Sequence, residues 1–133
     1  SKGLLMDQDS AKYRISIKVK TNYIADQSNP DDNEYVFSYT ISIVNEGSVA
    51  TQLISRHWVI EDADGRVAEV KGLGVVGQQP LLQPGGHFEY TSGSQLRTAT
   101  GSMHGSYLFV AEDGHRFDTD IPIFVLSAPR TLH

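Results

Sequence analysis

The stretch Tyr35-Val36-Phe37-Ser38-Tyr39-Thr40-Ile41-Ser42-Ile43-Val44-Asn45 decides the fold. Phe37, Tyr39, Ile41 and Ile43 fall on one side, Ser38, Thr40 and Ser42 on the other. Unbroken alternation over this length is the period of a half-buried strand, whereas an amphipathic helix would repeat its apolar residues every three to four positions. Upstream, Tyr13, Ile15, Ile17, Val19 and Thr21 alternate with Arg14, Ser16, Lys18, Lys20 and Asn22, a second strand with a wet outer face. Residues 26–34 separate the two as a polar loop, and Asn45-Glu46-Gly47-Ser48 turns the chain. Downstream, a strand from Thr51 to Glu61 carries Ile54, Trp58 and Ile60 on its apolar face. Asp64-Gly65 then signals a hairpin into a short strand at Arg66 to Val70.

A glycine- and proline-rich connection follows from Gly72 to Gly86, then a short strand at Phe88 to Thr91 and a loop from Ser92 to Gly101. Met103, Gly105, Tyr107, Phe109 and Ala111 form one face of the next strand, and Asp113-Gly114 is a second hairpin turn. The last strands run from Arg116 to Leu126, broken or bent at Pro122. No segment sustains a helical stripe. The expected architecture is an all-β, immunoglobulin- or fibronectin type III-like sandwich of about seven or more antiparallel strands. Residues 12–133 form its single domain, behind a flexible arm at 1–11. Trp58, Phe37, Tyr39, Ile41, Ile43, Ile15, Ile17 and Phe109 are its expected core. Gly105-x-Tyr107-x-Phe109 resembles a tyrosine corner with Phe in place of a cysteine, so the Tyr107 hydroxyl is expected to bond nearby backbone.

Composition narrows the function. The 133 residues suit one domain, and 11 basic against 16 acidic side chains leave a net charge of −5. That balance excludes a duplex nucleic-acid binder, which needs a basic face to displace counterions. The absence of cysteine excludes disulfides, thiolate metal sites and cysteine nucleophiles. No apolar run is long enough to cross a membrane, and no signal-peptide pattern opens the chain, so a cytoplasmic location is expected.

Gly72-Leu73-Gly74-Val75-Val76-Gly77 spells G-x-G-x-x-G, but Gln78-Gln79-Pro80-Leu81-Leu82-Gln83-Pro84 follows. Two prolines and no helical stripe remove the helix whose N-terminus a dinucleotide fold needs. Two readings of the glycines stay open: an anion-binding nest of backbone N–H groups, or a bulged loop that requires positive φ. Arg56 shares a face with Trp58 under strict alternation and is expected near the core edge in an ion pair, unless it lies unpaired beside the glycines. Gly72, Gly74, Gly77, Lys71 and Arg56 are therefore the candidate ligand residues. Asp26, Asp31, Asp32 and Glu34 read as a solvated loop, and Asp118 and Asp120 as an exposed pair. His57, His87, His104, His115 and His133 show no metal-ligand spacing, and Met103 occupies the serine position of a would-be nucleophile elbow. No catalytic constellation, metal site or cofactor is legible, and the chain is read as a non-enzyme.

Several stretches in order resemble the ApaG family: Tyr35-Val36-Phe37-Ser38-Tyr39-Thr40-Ile41, Leu53-Ile54-Ser55-Arg56-His57-Trp58-Val59-Ile60, and the run from Val70 to Pro80. Leu82-Gln83-Pro84-Gly85, Phe88 to Gly93, Gly101 to Tyr107, Ile121-Pro122-Ile123-Phe124 and the Leu132-His133 end continue the match. The resemblance implies a fibronectin- or immunoglobulin-like sandwich. In bacteria such domains stand alone, often encoded beside a diadenosine tetraphosphate hydrolase, with a genetic link to cobalt resistance and magnesium efflux. Related domains are appended to eukaryotic F-box proteins and to a polymerase-interacting protein. The family's glycine motif falls on Gly72, Gly74 and Gly77, and the resemblance brings no catalytic residues. Two functions follow. A non-catalytic protein-interaction module predicts an exposed edge and a partner or homodimer interface. A binder of pyrophosphate or nucleotide-polyphosphate ligands predicts the glycine loop meeting Lys71 or Arg56.

Overall fold

A computed structural model describes residues 11–130; most of the expected N-terminal arm, and the Leu132-His133 end, lie outside them. Eight strands form two antiparallel sheets: β1 (Ile15–Tyr23), β2 (Tyr35–Asn45), β3 (Thr51–Asp62), β4 (Val67–Leu73), β5 (Leu81–Leu82), β6 (His87–Leu96), β7 (Thr100–Ala111) and β8 (Arg116–Ser127). The smaller sheet has the order β1-β2-β6; the larger has β4-β3-β7-β8, with β5 also pairing β3. With the two-residue β5 set aside, this is the three-on-four strand arrangement of a fibronectin type III-like sandwich. β2 alternates as read, with Phe37, Tyr39, Ile41 and Ile43 buried, and meets Leu53, Trp58, Met103, Tyr107, Phe109 and Ile121 from the larger sheet. Ile15 and Ile17 are only half-buried, because β1 sits at a sheet edge.

Four local expectations change. The apolar face of β3 holds Leu53 rather than Ile54, because the pairing with β7 slips between Leu53 and Ser55. One extra residue there restores phase, so that Arg56 and Trp58 share the inner face. The loop expected at 92–101 is mostly strand: Ser92, Gly93 and Ser94 pair with Tyr39, Ser38 and Phe37. A full-length β2 templates this polar segment, whose own composition carries no strand signal. At Pro122 the strand is bulged but not broken: β8 continues to Ser127, and the register with β7 slips beside the proline, between Met103 and Gly105. Proline is tolerated because β8 is an edge strand and the slip needs no donor there.

The fourth change concerns Tyr107. Its hydroxyl pairs with that of Tyr90 on the opposite sheet, not with nearby backbone. Tyr107 lies in the middle of β7 with its ring fully buried, so the facing sheet is its reachable neighbour. Burial pushes both phenols well above the ordinary value, and the pair stays protonated, one donating and one accepting. Tyr107→Phe is expected to cost about 1–2 kcal/mol by stranding the Tyr90 hydroxyl. The double variant Tyr90→Phe/Tyr107→Phe should cost less than the two singles added, because neither partner is then left unsatisfied. Urea denaturation of the four proteins reads this out, and strictly additive losses would contradict it.

Two polar anchors complete the frame. Asn45 is buried, and its amide donates to the carbonyls of Val49 and Leu82 while its oxygen accepts from Gly47 N–H. At the seam between the sheets, the Tyr13 hydroxyl donates to Asp113, and Lys12 lies 3.0 Å from the same carboxylate. The Tyr13 hydroxyl, the His115 N–H and Lys12 hold the Asp113 carboxyl well below the usual carboxylate range.

Candidate functional site

The glycine motif is a hairpin tip and carries no helix. The Val75 N–H donates to the Gln78 carbonyl at 2.8 Å and the Gln78 N–H returns the bond at 2.9 Å, closing a two-residue turn. Its central residues, Val76 and Gly77, have φ of 44° and 78°. Two positive φ values are the signature of a type I′ turn, normally filled by Asn-Gly. A β-branched residue with positive φ is strained. Val76→Asn is expected to raise stability by about 1 kcal/mol, seen as a higher urea midpoint; a lower midpoint would show that the Val76 side chain holds the turn.

Each glycine has its own reason. Gly74 has φ of 64°, and a Cβ on it would lie 2.3 Å from the Gln78 carbonyl oxygen. A Cβ on Gly72 would lie 2.8 Å from a guanidinium nitrogen of Arg56. The missing side chain is thus the bed on which Arg56 lies. From there Arg56 Nη1 donates to the carbonyls of Leu73 and Gly74, at 3.0 and 2.9 Å. The ion pair expected for Arg56 is not what the structure shows: among the described residues no carboxylate pairs with it, and loop carbonyls satisfy it instead. Reaching across Gly72 puts these carbonyls closer at hand than any acid.

The candidate residues divide between two hollows that share Arg56. One, of about 310 Å3 at the mouth between the sheets, is lined by Arg56, Tyr39, Trp58, Tyr90, Val76 and Gly77. The Gly74, Val75 and Gln78 N–H groups are used within the structure, whereas no backbone acceptor among the described residues takes those of Val76 and Gly77. The other, of about 360 Å3, lies on the outer face of the larger sheet and includes Lys71, Gly72, His57, Ser106 and Asp118. Lys71 and Gly77 are therefore not brought into one cavity. On the outer face Lys71, His57, Ser106 and Asp120 are successive cross-strand neighbours. Sequence reading missed this row because its members come from four strands. No hydrogen bond joins Ser106 to His57, and His57 Nε2 lies 3.6 Å from Glu69, beyond bonding distance. Among the described residues no group of three or more His, Asp or Glu side chains gathers to hold a metal. No helix among the described residues is long and apolar enough to cross a membrane.

A feature that sequence reading missed is the exposure of β4. Every residue from Val67 to Lys71 is exposed, as is Leu73, and Val67, Val70, Leu73 and Val76 form an apolar series along the strand and hairpin. The short strand expected at Arg66 to Val70 carries no sign of its place in a sheet; only the sheet order shows β4 to be an edge.

An eight-stranded fibronectin-like sandwich with a glycine hairpin laid on an arginine defines the class of domain. The particular family follows from comparison: the ApaG domain matches residues 25–111, and the chain belongs to the ApaG family. Protein ApaG of Thiobacillus denitrificans is 62% identical over 125 residues, covering 94% of this chain and 98% of that protein. Protein ApaG of Nitrosomonas europaea is 57% identical over 126 residues, covering 95% and 99%. The crystal structure of the putative ApaA protein from Bordetella pertussis superposes with a TM-score of 0.87 at 52% identity, covering 90% of this chain and 97% of that one.

Proposed function

We propose that this domain is a non-catalytic protein-interaction module that recognises its partner through the free edge of β4 and the adjoining hairpin. The observation that carries the reading is the exposed apolar series Val67, Val70, Leu73 and Val76 along an edge strand and its hairpin, with Leu73 75% exposed. Soluble domains usually blunt or cover such an edge, because its free N–H and C=O groups recruit another strand. A photo-crosslinking residue placed at Leu73 is expected to give discrete protein adducts in native lysate. The same residue at Glu89, exposed on the smaller sheet, should not. Identical adducts from both positions, or none from Leu73, would overturn the reading.

A second reading is favoured by Arg56, held beside the unused N–H groups of Val76 and Gly77 without a carboxylate partner. It makes the mouth between the sheets a site for pyrophosphate or a nucleotide polyphosphate, with Arg56 and Gly77 as ligands, Gly72 and Gly74 shaping the loop, and Lys71 acting only from outside. The net charge of −5 works against it unless the local field is inverted. Pyrophosphate should then shift the Val76 and Gly77 amide resonances saturably, and Arg56→Gln should abolish the shift. Unmoved amides would remove this reading.

A further inference from the structure

We propose that the partner of the β4 edge is the β4 edge of a second copy of this chain. The two strands pair antiparallel about a two-fold axis at Val70, which joins the two larger sheets into one. The inference rests on the reading of β4 as the recognition surface and names its occupant.

The argument begins with which backbone groups are free. At one end of the β3–β4 ladder the Asp62 N–H donates to the Arg66 carbonyl, and at the other the Gly74 N–H donates to the Ile54 carbonyl. Antiparallel ladders alternate bonded and non-bonded pairs, so these two bonds fix the parity. Ala68, Val70 and Gly72 turn their N–H and C=O groups toward β3. Val67, Glu69, Lys71 and Leu73 turn theirs outward, to the open edge. A second strand can satisfy them only in a register that sets odd-numbered residues against odd-numbered ones.

Charge then selects among those registers. About Val70, each Glu69 faces Lys71 of the second copy, each Val67 faces Leu73, and Val70 meets Val70. The outer face gains two opposite-charge pairs and two apolar pairs, and every outward backbone group meets another outward group. The Leu73 carbonyl, already bonded by Arg56, keeps a second lone pair for the ladder. Sliding by two residues sets Glu69 against Glu69, or Lys71 against Lys71, and like charges directly opposite are destabilising. A lysine on an edge ordinarily blunts pairing; with Glu69 two residues away on the same face, it fixes a register instead.

The other edges are less suited to pairing. The start of β8 is covered by the N-terminal segment, where Tyr13 stacks on His115 and packs against Phe117; beyond it Ile123 and Val125 are exposed, but Pro122 has no N–H to offer and the register slip beside it interrupts the ladder. β1 exposes Lys18 and Lys20, which blunt its edge. β6 exposes His87, Glu89, Thr91, Gly93 and Gln95 but no large apolar residue. A seven-residue edge contact is small, so the dimer is weak and concentration-dependent.

Sedimentation equilibrium on the full chain tests this. The wild type should self-associate as concentration rises toward the millimolar range. Lys71→Glu alone and Glu69→Lys alone each place two like-charge pairs at the interface and should raise the dissociation constant about tenfold or more. An equimolar mixture of these two variants should associate as a heterodimer, because each then faces its opposite. Amide exchange adds the register: Glu69 and Lys71 gain protection with concentration, while Ala68 and Val70 are protected throughout. A wild type that stays monomeric, or dimerises unaffected by both charge changes, overturns the proposal. If that monomer still gives Leu73 adducts with another protein, self-pairing alone falls. If it gives none, the edge reading falls with it.

Discussion

Replacing Gly105 by alanine is expected to cost about 3 kcal/mol or more, although alanine adds only a methyl group. Gly105 lies in β7, opposite Trp58 of β3 and Ile121 of β8. A Cβ there would sit 1.9 Å from the His57 carbonyl oxygen and 3.1 Å from the Trp58 Cα. Both are backbone atoms of the neighbouring strand, so no side-chain rotation relieves the overlap. The β3–β7 ladder must open at the centre of the larger sheet, and buried backbone groups lose partners. Gly114→Ala is the control. That glycine has φ of 88° with nothing within 4 Å of its would-be Cβ, so alanine there should cost only about 1 kcal/mol, through φ alone. Urea denaturation followed by the fluorescence of Trp58, the sole tryptophan, measures both. Equal midpoints for the two variants would show that β7 moves aside freely.

Why this glycine escaped notice in the sequence illustrates what local pattern can carry. Met103, Gly105, Tyr107, Phe109 and Ala111 are legible as one strand face because alternation is a property of consecutive residues. That Gly105 is pressed against the His57 carbonyl depends on a register set by a slip elsewhere in the strand. The same limit governs Tyr90 and Tyr107, which bond across the gap between two sheets and share no spacing in the chain. Asn45 reads as a turn residue, yet it is buried as a bracket for two loops, because a single asparagine signals a polar neighbour without naming it. The site was legible in part. Glycine spacing marked a loop that requires positive φ without showing it to be a hairpin, and the shared phase of Arg56 and Trp58 placed the arginine at the core edge. What Arg56 touches was not legible, since carbonyl acceptors leave no trace in side-chain identity. The exposure of β4 was hidden for a related reason: a hairpin signal announces a strand without giving its place in a sheet, and sheet order is a tertiary fact.

Trp58→Ala is expected to cost about 3–5 kcal/mol, the range for truncating a buried aromatic. Trp58 is only 2% exposed and makes edge-on contacts with three rings from different strands: Tyr39 at 5.4 Å, Phe124 at 5.8 Å and Tyr107 at 6.4 Å between centroids. Such pairs add to the area buried, each by about 0.5–1.5 kcal/mol. The three neighbours are fixed by three strands in two sheets, so they cannot close in together to fill the space. The vacated volume also adjoins the hollow at the mouth between the sheets, whose wall Trp58 forms with Arg56 and Tyr90. Water entering there would offset some of the cavity cost only by wetting the ring faces that Trp58 had covered. Trp58→Phe keeps part of those contacts and should fall between the wild type and alanine. Because the substitution removes the fluorophore, thermal melts by circular dichroism are the measurement. A drop in Tm of roughly 10–20 °C is expected for alanine. A drop of a few degrees would show that Tyr39 and Phe124 collapse into the gap, and that the aromatic cluster does not hold the two sheets apart at this end.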